Sequence, residues 1–125
     1  MPHHPHPTFQ RAARIAFVVA AIFSFVMAAL PHPPPIPGQP SDKLLHMLAF
    51  ATLGTFAATG FRGQSVMRLF VALALFGAVI ELVQAIPMLN RDSEWADLLA
   101  DMVAALVALM GTRWLLAWRP DGRTG

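Results

Sequence analysis

The 125-residue chain contains no cysteine, which excludes disulfides, Cys-ligated zinc and thiol redox chemistry. Charge is scarce as well. Only 13% of residues are Asp, Glu, Lys or Arg, against roughly one quarter in a soluble domain. With 56% hydrophobic residues, too little polar surface remains to coat a single globular domain. The net charge is +2, but the arginines stand singly at the ends of apolar runs. There is no basic patch interleaved with aromatics, which argues against nucleic acid as a partner. Also missing are a Gly-x-Ser-x-Gly elbow, a His-Glu-x-x-His pair and a phosphate-cradling glycine loop. No nucleophile is evident, so the chain reads as a non-enzyme unless Glu, His and Asp act together as acids and bases.

What the chain does have is four apolar runs, at about residues 15–30, 44–61, 69–86 and 95–111. Each is near the ~20 residues that cross a bilayer as a helix. None alternates like a strand, and backbone groups in lipid must be satisfied internally. The fold class expected is therefore all-α: a polytopic membrane protein built as a four-transmembrane-helix bundle. Residues 1–13, with His3, His4 and His6 among prolines, read as a disordered tail, residues 14–118 as the membrane domain, and residues 119–125 as a second tail. The tail histidines could bind metal incidentally, but no second ligand set fixes a geometry. No metal or cofactor is expected.

The connections agree with this reading. Residues 31–40 hold a proline-rich stretch that cannot be helical and reads as an extended loop. Ser41 is a candidate N-cap for the second span, and Asp92 or Ser93 for the fourth. Pro87 stops the third span. With four spans, Arg11, Arg14, Arg62, Arg68, Arg113, Arg119 and Arg123 share one side, leaving Lys43 and Arg91 on the other. The positive-inside rule then puts both termini in the cytoplasm. Trp114 and Trp118 suit the inner aromatic belt and Trp95 the outer one. Residues 1–30 also resemble a signal peptide, with small residues near Ala28, so cleavage to three spans is the competing reading.

This orientation collects the remaining polar groups at the outer side. Asp42, Lys43 and His46 open the second span, and Glu81 and Gln84 lie in the outer part of the third. Arg91 stands in the outer loop, and Asp97 and Asp101 lead into the fourth span. Residues three or four apart share a helix face, which aligns Asp42 and Lys43 with His46, Glu81 with Gln84, and Asp97 with Asp101. Gly77 continues the Glu81 face inward. Ala100, Ala104 and Ala108 form a small-residue ridge of the kind that lets helices approach closely in lipid. The pattern predicts an outward-facing polar pocket lined by His46, Glu81, Gln84, Asp97 and Asp101, with Arg91 at its mouth. Asp42, Lys43, Asp92 and Glu94 also read as interfacial or capping charges. Glu81, well inside a span, is either an interhelical pairing group or a working group of the pocket. His46 is its candidate proton partner.

These clusters resemble the VanZ-like family of small bacterial membrane proteins. The shared pattern is Asp42-Lys43-Leu44-Leu45-His46, then Glu81-Leu82-Val83-Gln84, then Arg91, then Asp97-Leu98-Leu99-Ala100-Asp101. It covers about residues 40–112, and three motifs in order are more specific than any one alone. Asp101 stands where the family has Asn, and Ala104 and Ala108 where glycines are expected. The resemblance implies a multi-pass protein of the bacterial plasma membrane that acts on or binds a cell-envelope component. The family's namesake is linked to low-level resistance to the glycopeptide teicoplanin. The partners it implies are membrane lipids and an envelope precursor or glycopeptide-related ligand. Two alternatives stay open: a membrane-embedded enzyme acting on a lipid-linked substrate, and a small proton-coupled transporter. The latter would call for a homo-oligomer, since one protomer offers little room for a pathway.

The absence of native cysteine makes the topology directly testable. Gly38→Cys and Asn90→Cys are expected to react with an impermeant maleimide from outside, and Gln64→Cys only from inside.

Overall fold

In the computed structural model, residues 7–30, 42–87 and 95–118 are described. They form four helices: α1 (Pro7–Ala29), α2 (Asp42–Gly60), α3 (Val66–Gln84) and α4 (Trp95–Ala117). No strand occurs among the described residues. The expected loop 31–40 and the candidate caps Ser41, Asp92 and Ser93 lie outside them.

Two boundaries differ from the hydropathy reading. α1 begins at Pro7, so residues 7–13 belong to the helix rather than to a tail. Proline is at home in a first helical turn, and no breaker follows it before the apolar run. At the other end α4 passes Gly111 and reaches Ala117. An isolated glycine costs only about 1 kcal/mol in a helix, too little to stop one that continues into Trp114-Leu115-Leu116-Ala117.

Local chemistry explains the other ends. Ser65 caps α3, its hydroxyl accepting from the Arg68 N–H at 3.1 Å. α3 closes as Ala85 N–H donates to Glu81 O and Ile86 N–H to Val83 O, just before Pro87 forbids continuation. α2 carries three threonines, and each hydroxyl is satisfied within the helix. Thr52, Thr55 and Thr59 donate to the carbonyls of Leu48, Ala51 and Thr55 at 2.8–2.9 Å.

α2 is the centre of the bundle. It packs most extensively on α4, then on α1, while α3 packs chiefly on α4. Gly54 sits so close to α4 that a Cβ there would lie 2.9 Å from the Ala105 carbonyl oxygen and 3.1 Å from the Ala108 Cβ. Small residues thus do bring α4 against its neighbour, but through Ala105 and Ala108. Ala100 and Ala104 are only half-buried. Gly60 makes the corresponding approach to the backbone of Arg14 on α1. The core is Phe50, Leu53, Ala57, Leu73, Ala105 and Leu109, with Phe76 tilted against Phe50 at 6.0 Å between centroids.

The surface inverts the polarity of a soluble protein. Val19, Leu75, Leu99 and Val107 are 60–68% exposed, while Glu81, Gln84 and Asp101 are 1–2% exposed. Apolar outside and polar inside is the distribution that a hydrocarbon solvent selects. Three helices, Thr8–Ala29, Val66–Gln84 and Trp95–Ala117, are long and apolar enough to cross a membrane. α2 has a similar length at 19 residues, but Lys43, His46 and its threonines dilute its hydropathy.

Gly54→Ala is expected to destabilise the protein by about 1–3 kcal/mol, because backbone oxygen blocks the added methyl. At Gly77 the nearest obstacle is the flexible tip of Leu98, so Gly77→Ala should cost less. Unfolding in mixed detergent micelles compares the two.

Candidate functional site

The two ends of the bundle differ in chemistry. At one end lie the start of α1, the α2–α3 turn and the end of α4. There Arg14 donates from Nε to the Gly60 carbonyl at 2.6 Å, its guanidinium 5.3 Å from the Phe61 ring centroid. Arg113 reaches across from α4, donating from Nε to Ala58 O at 3.0 Å and from Nη2 to Phe61 O and Gln64 O, both at 2.9 Å. The last four carbonyls of a helix have no partner within it. The two arginines supply donors for Ala58 and Gly60, and Phe61 N–H serves Ala57. Sequence reasoning treated these arginines only as markers of orientation. Their spacing holds no sign of the role, because the carbonyls they serve are 46–55 residues away.

The opposite end gathers the candidate site residues. α2 begins there with Asp42, and Lys43 and His46 follow on its first turns. α3 brings Glu81 and Gln84 in its last turn, on the buried stripe Leu69, Leu73, Gly77, Ile80, Glu81 and Gln84. α4 brings Asp97 and Asp101 in its first two turns, and its buried stripe is Asp101, Met102, Ala105 and Leu109. Arg91 lies outside the described residues.

Three of these side chains converge. His46, Glu81 and Asp101 each place a nitrogen or carboxylate oxygen within 4.8 Å of the other two. His46 Nδ1 stands 3.7 Å from Asp101 Oδ2, beyond hydrogen-bond length but within ionic reach. The other oxygen, Asp101 Oδ1, is fully buried and has no hydrogen-bond partner among the described residues. His46 is the member nearest solvent, with a side chain 18% exposed against 2% for Asp101. Outside this trio, Lys43 Nζ approaches Asp97 Oδ1 at 3.8 Å. That pair is largely solvated, so its net worth is about 0–1 kcal/mol.

Gln84 is buried beside the trio but faces elsewhere, donating from Nε2 to the Ala28 carbonyl at 3.3 Å. Ala28 lies in the last turn of α1, so Gln84 does for α1 what the arginines do for α2. Below the trio the interior turns apolar at once. Leu98, Phe50 and Met102 close around Gly77, one turn inward from Glu81. The expected gathering of His46, Glu81 and Asp101 is therefore present. Asp97 instead turns to Lys43 at the rim, and Gln84 serves as a helix cap.

No family model, curated protein or solved structure matches this chain.

Replacing Gln84 with Leu is expected to cost about 0.5–1.5 kcal/mol by orphaning the Ala28 carbonyl. Leu82→Ala, on the exposed face of the same turn, should cost less. Detergent unfolding of both variants measures the difference.

Proposed function

We propose that the chain is a VanZ-like, four-span protein of the bacterial plasma membrane. On this reading both termini are cytoplasmic, and the polar end of the bundle binds an anionic cell-envelope component at the outer leaflet. The observation that carries this is the convergence of His46, Glu81 and Asp101 within 4.8 Å at the end opposite the Arg14 and Arg113 caps. Arginine favours the cytoplasmic side, which turns the acidic and imidazole groups outward, where envelope precursors and lipophilic glycopeptides are met. Arg91, in the segment of sequence that joins α3 to α4, has the planar fork suited to a phosphate or carboxylate head group. Glu81, His46 and Asp101 supply the polar groups at this end of the bundle.

The alternatives fare differently. Transport needs a route through the bundle, and the buried interior below the cluster is Phe50, Leu53, Leu73, Ala105 and Leu109. This dry packing favours a binding role at one face. An enzyme acting on a lipid-linked substrate keeps one point in its favour, three acid–base groups in mutual reach, but lacks a nucleophile.

The test is a paired substitution. Glu81→Ala and Arg91→Ala are each expected to abolish glycopeptide tolerance, and binding of a fluorescent lipid-linked precursor, in cells where the variants insert at normal abundance. Retention of both properties in both variants would refute the proposal. Turnover of the precursor by purified protein, lost in Glu81→Gln, would replace it with the enzyme reading.

A further inference from the structure

Two buried carboxylates and one imidazole lie in mutual reach where α2, α3 and α4 meet. If both carboxylates are ionised and His46 is neutral, the cluster carries −2, one turn from the Phe50, Leu98 and Met102 side chains that close around Gly77. Burying uncompensated charge is costly. Among the described residues, Lys43 is engaged at the rim with Asp97 at 3.8 Å, and its side chain is half exposed. Arg14 and Arg113 are bound to carbonyls at the far end of α2.

We propose that His46, Glu81 and Asp101 form a binding site for a divalent transition-metal ion, joining α2, α3 and α4 at their polar end. The separations leave room for an ion between the three side chains. Metal–ligand bonds of about 2.0–2.2 Å set neighbouring donor atoms about 3–3.5 Å apart. The 3.7 Å between His46 Nδ1 and Asp101 Oδ2 is too long for a hydrogen bond and close to that edge. The widest separation, at most 4.8 Å, closes with side-chain movements of about 1 Å, well within what rotamers allow. Asp101 Oδ1 supplies the independent sign: a fully buried oxygen with no hydrogen-bond partner among the described residues is an acceptor open to a cation. Partial exposure of His46 gives the ion a way in from the outer face.

The donor set chooses the class of ion. Ca2+ takes six to eight oxygens, whereas one imidazole with two carboxylates suits Zn2+, Mn2+, Co2+ or Fe2+. Three protein ligands leave at least one coordination position for water or an anionic oxygen. A divalent ion cancels the −2 without protonating either carboxylate. The site stands on the bundle geometry alone and holds whether or not the envelope reading is right.

The chain has five histidines, so the test begins by replacing His3, His4, His6 and His32 with Ala, leaving His46 as the sole imidazole. Full-length protein with these replacements is titrated in detergent with Zn2+, Mn2+ and Co2+. The expected result is one ion per chain, at micromolar affinity or tighter, with a rise in unfolding temperature. Glu81→Gln and Asp101→Asn, which preserve shape, should each weaken binding at least ~100-fold, and His46→Ala should do the same. Pulsed EPR on bound Cu2+ reads coordination independently of variant stability and should detect a single imidazole nitrogen. No saturable binding to the His46-only protein would overturn the proposal, as would binding without an imidazole signal.

Discussion

The parallel fit of α2 on α4 is the contact on which the rest of the structure depends. Its partners rise together along both helices: Lys43 with Asp97, His46 with Asp101, Gly54 with Ala105 and Ala108, and Ala58 with Arg113. Only glycine at position 54 lets the two backbones come this near, since any Cβ would strike the Ala105 carbonyl. A helix turn is about 5.4 Å, so a slip of one turn would part His46 from Asp101 and Arg113 from the end of α2 together. The polar cluster and the arginine cap are thus two ends of one alignment.

Helix ends set a second constraint, sharper in lipid than in water. A carbonyl left open near a bilayer has little water to fall back on, and here the donors come from other helices. Arg14 and Arg113 close α2, and Gln84 closes α1. These long-range caps make the helices mutually dependent, because removing a capping side chain opens a neighbour's end. They also polarise the bundle. Guanidinium groups complement the partial negative charge of the α2 C-terminus, while Asp97 stands in the first turn of α4 at the opposite end.

How much of this was legible in the sequence follows from the range of each interaction. Helix number and type came from apolar runs, and the gathering of His46, Glu81 and Asp101 came from counting spans, because alternate span ends must meet. The face carrying Gly77, Glu81 and Gln84 followed from helical spacing within nineteen residues. Spacing did not choose between two stripes on α4, one through Ala100, Ala104 and Ala108 and one through Asp101 and Ala105. They lie about 100° apart on the helix. Gly54 meets one residue of each, Ala105 and Ala108, while burial favours the stripe through Asp101 and Ala105. The arginine and glutamine caps were invisible because a cap of this kind has no local signature, and its partner carbonyl belongs to a distant turn. Helix starts were blurred for another reason: hydropathy marks where lipid contact begins, whereas α1 starts at Pro7, ahead of its apolar stretch.

The dry layer beneath the cluster limits what the cluster can do. Phe50, Met102 and Leu98 packed around Gly77 leave no polar step between Glu81 and the apolar core, so a proton or ion held by His46, Glu81 and Asp101 has an open approach only past the partly exposed imidazole. Chemistry at this site is therefore one-sided among the described residues: groups there can bind, neutralise or exchange past His46, but have no polar relay into the core. The same layer raises the stakes of occupancy. In a low dielectric the two carboxylates repel each other strongly unless a cation or protons intervene. The end of the bundle where α2, α3 and α4 meet is thus held together or loosened by what sits between Glu81 and Asp101. A cation bound there would lower that repulsion and tighten the packing of the three helices as it binds.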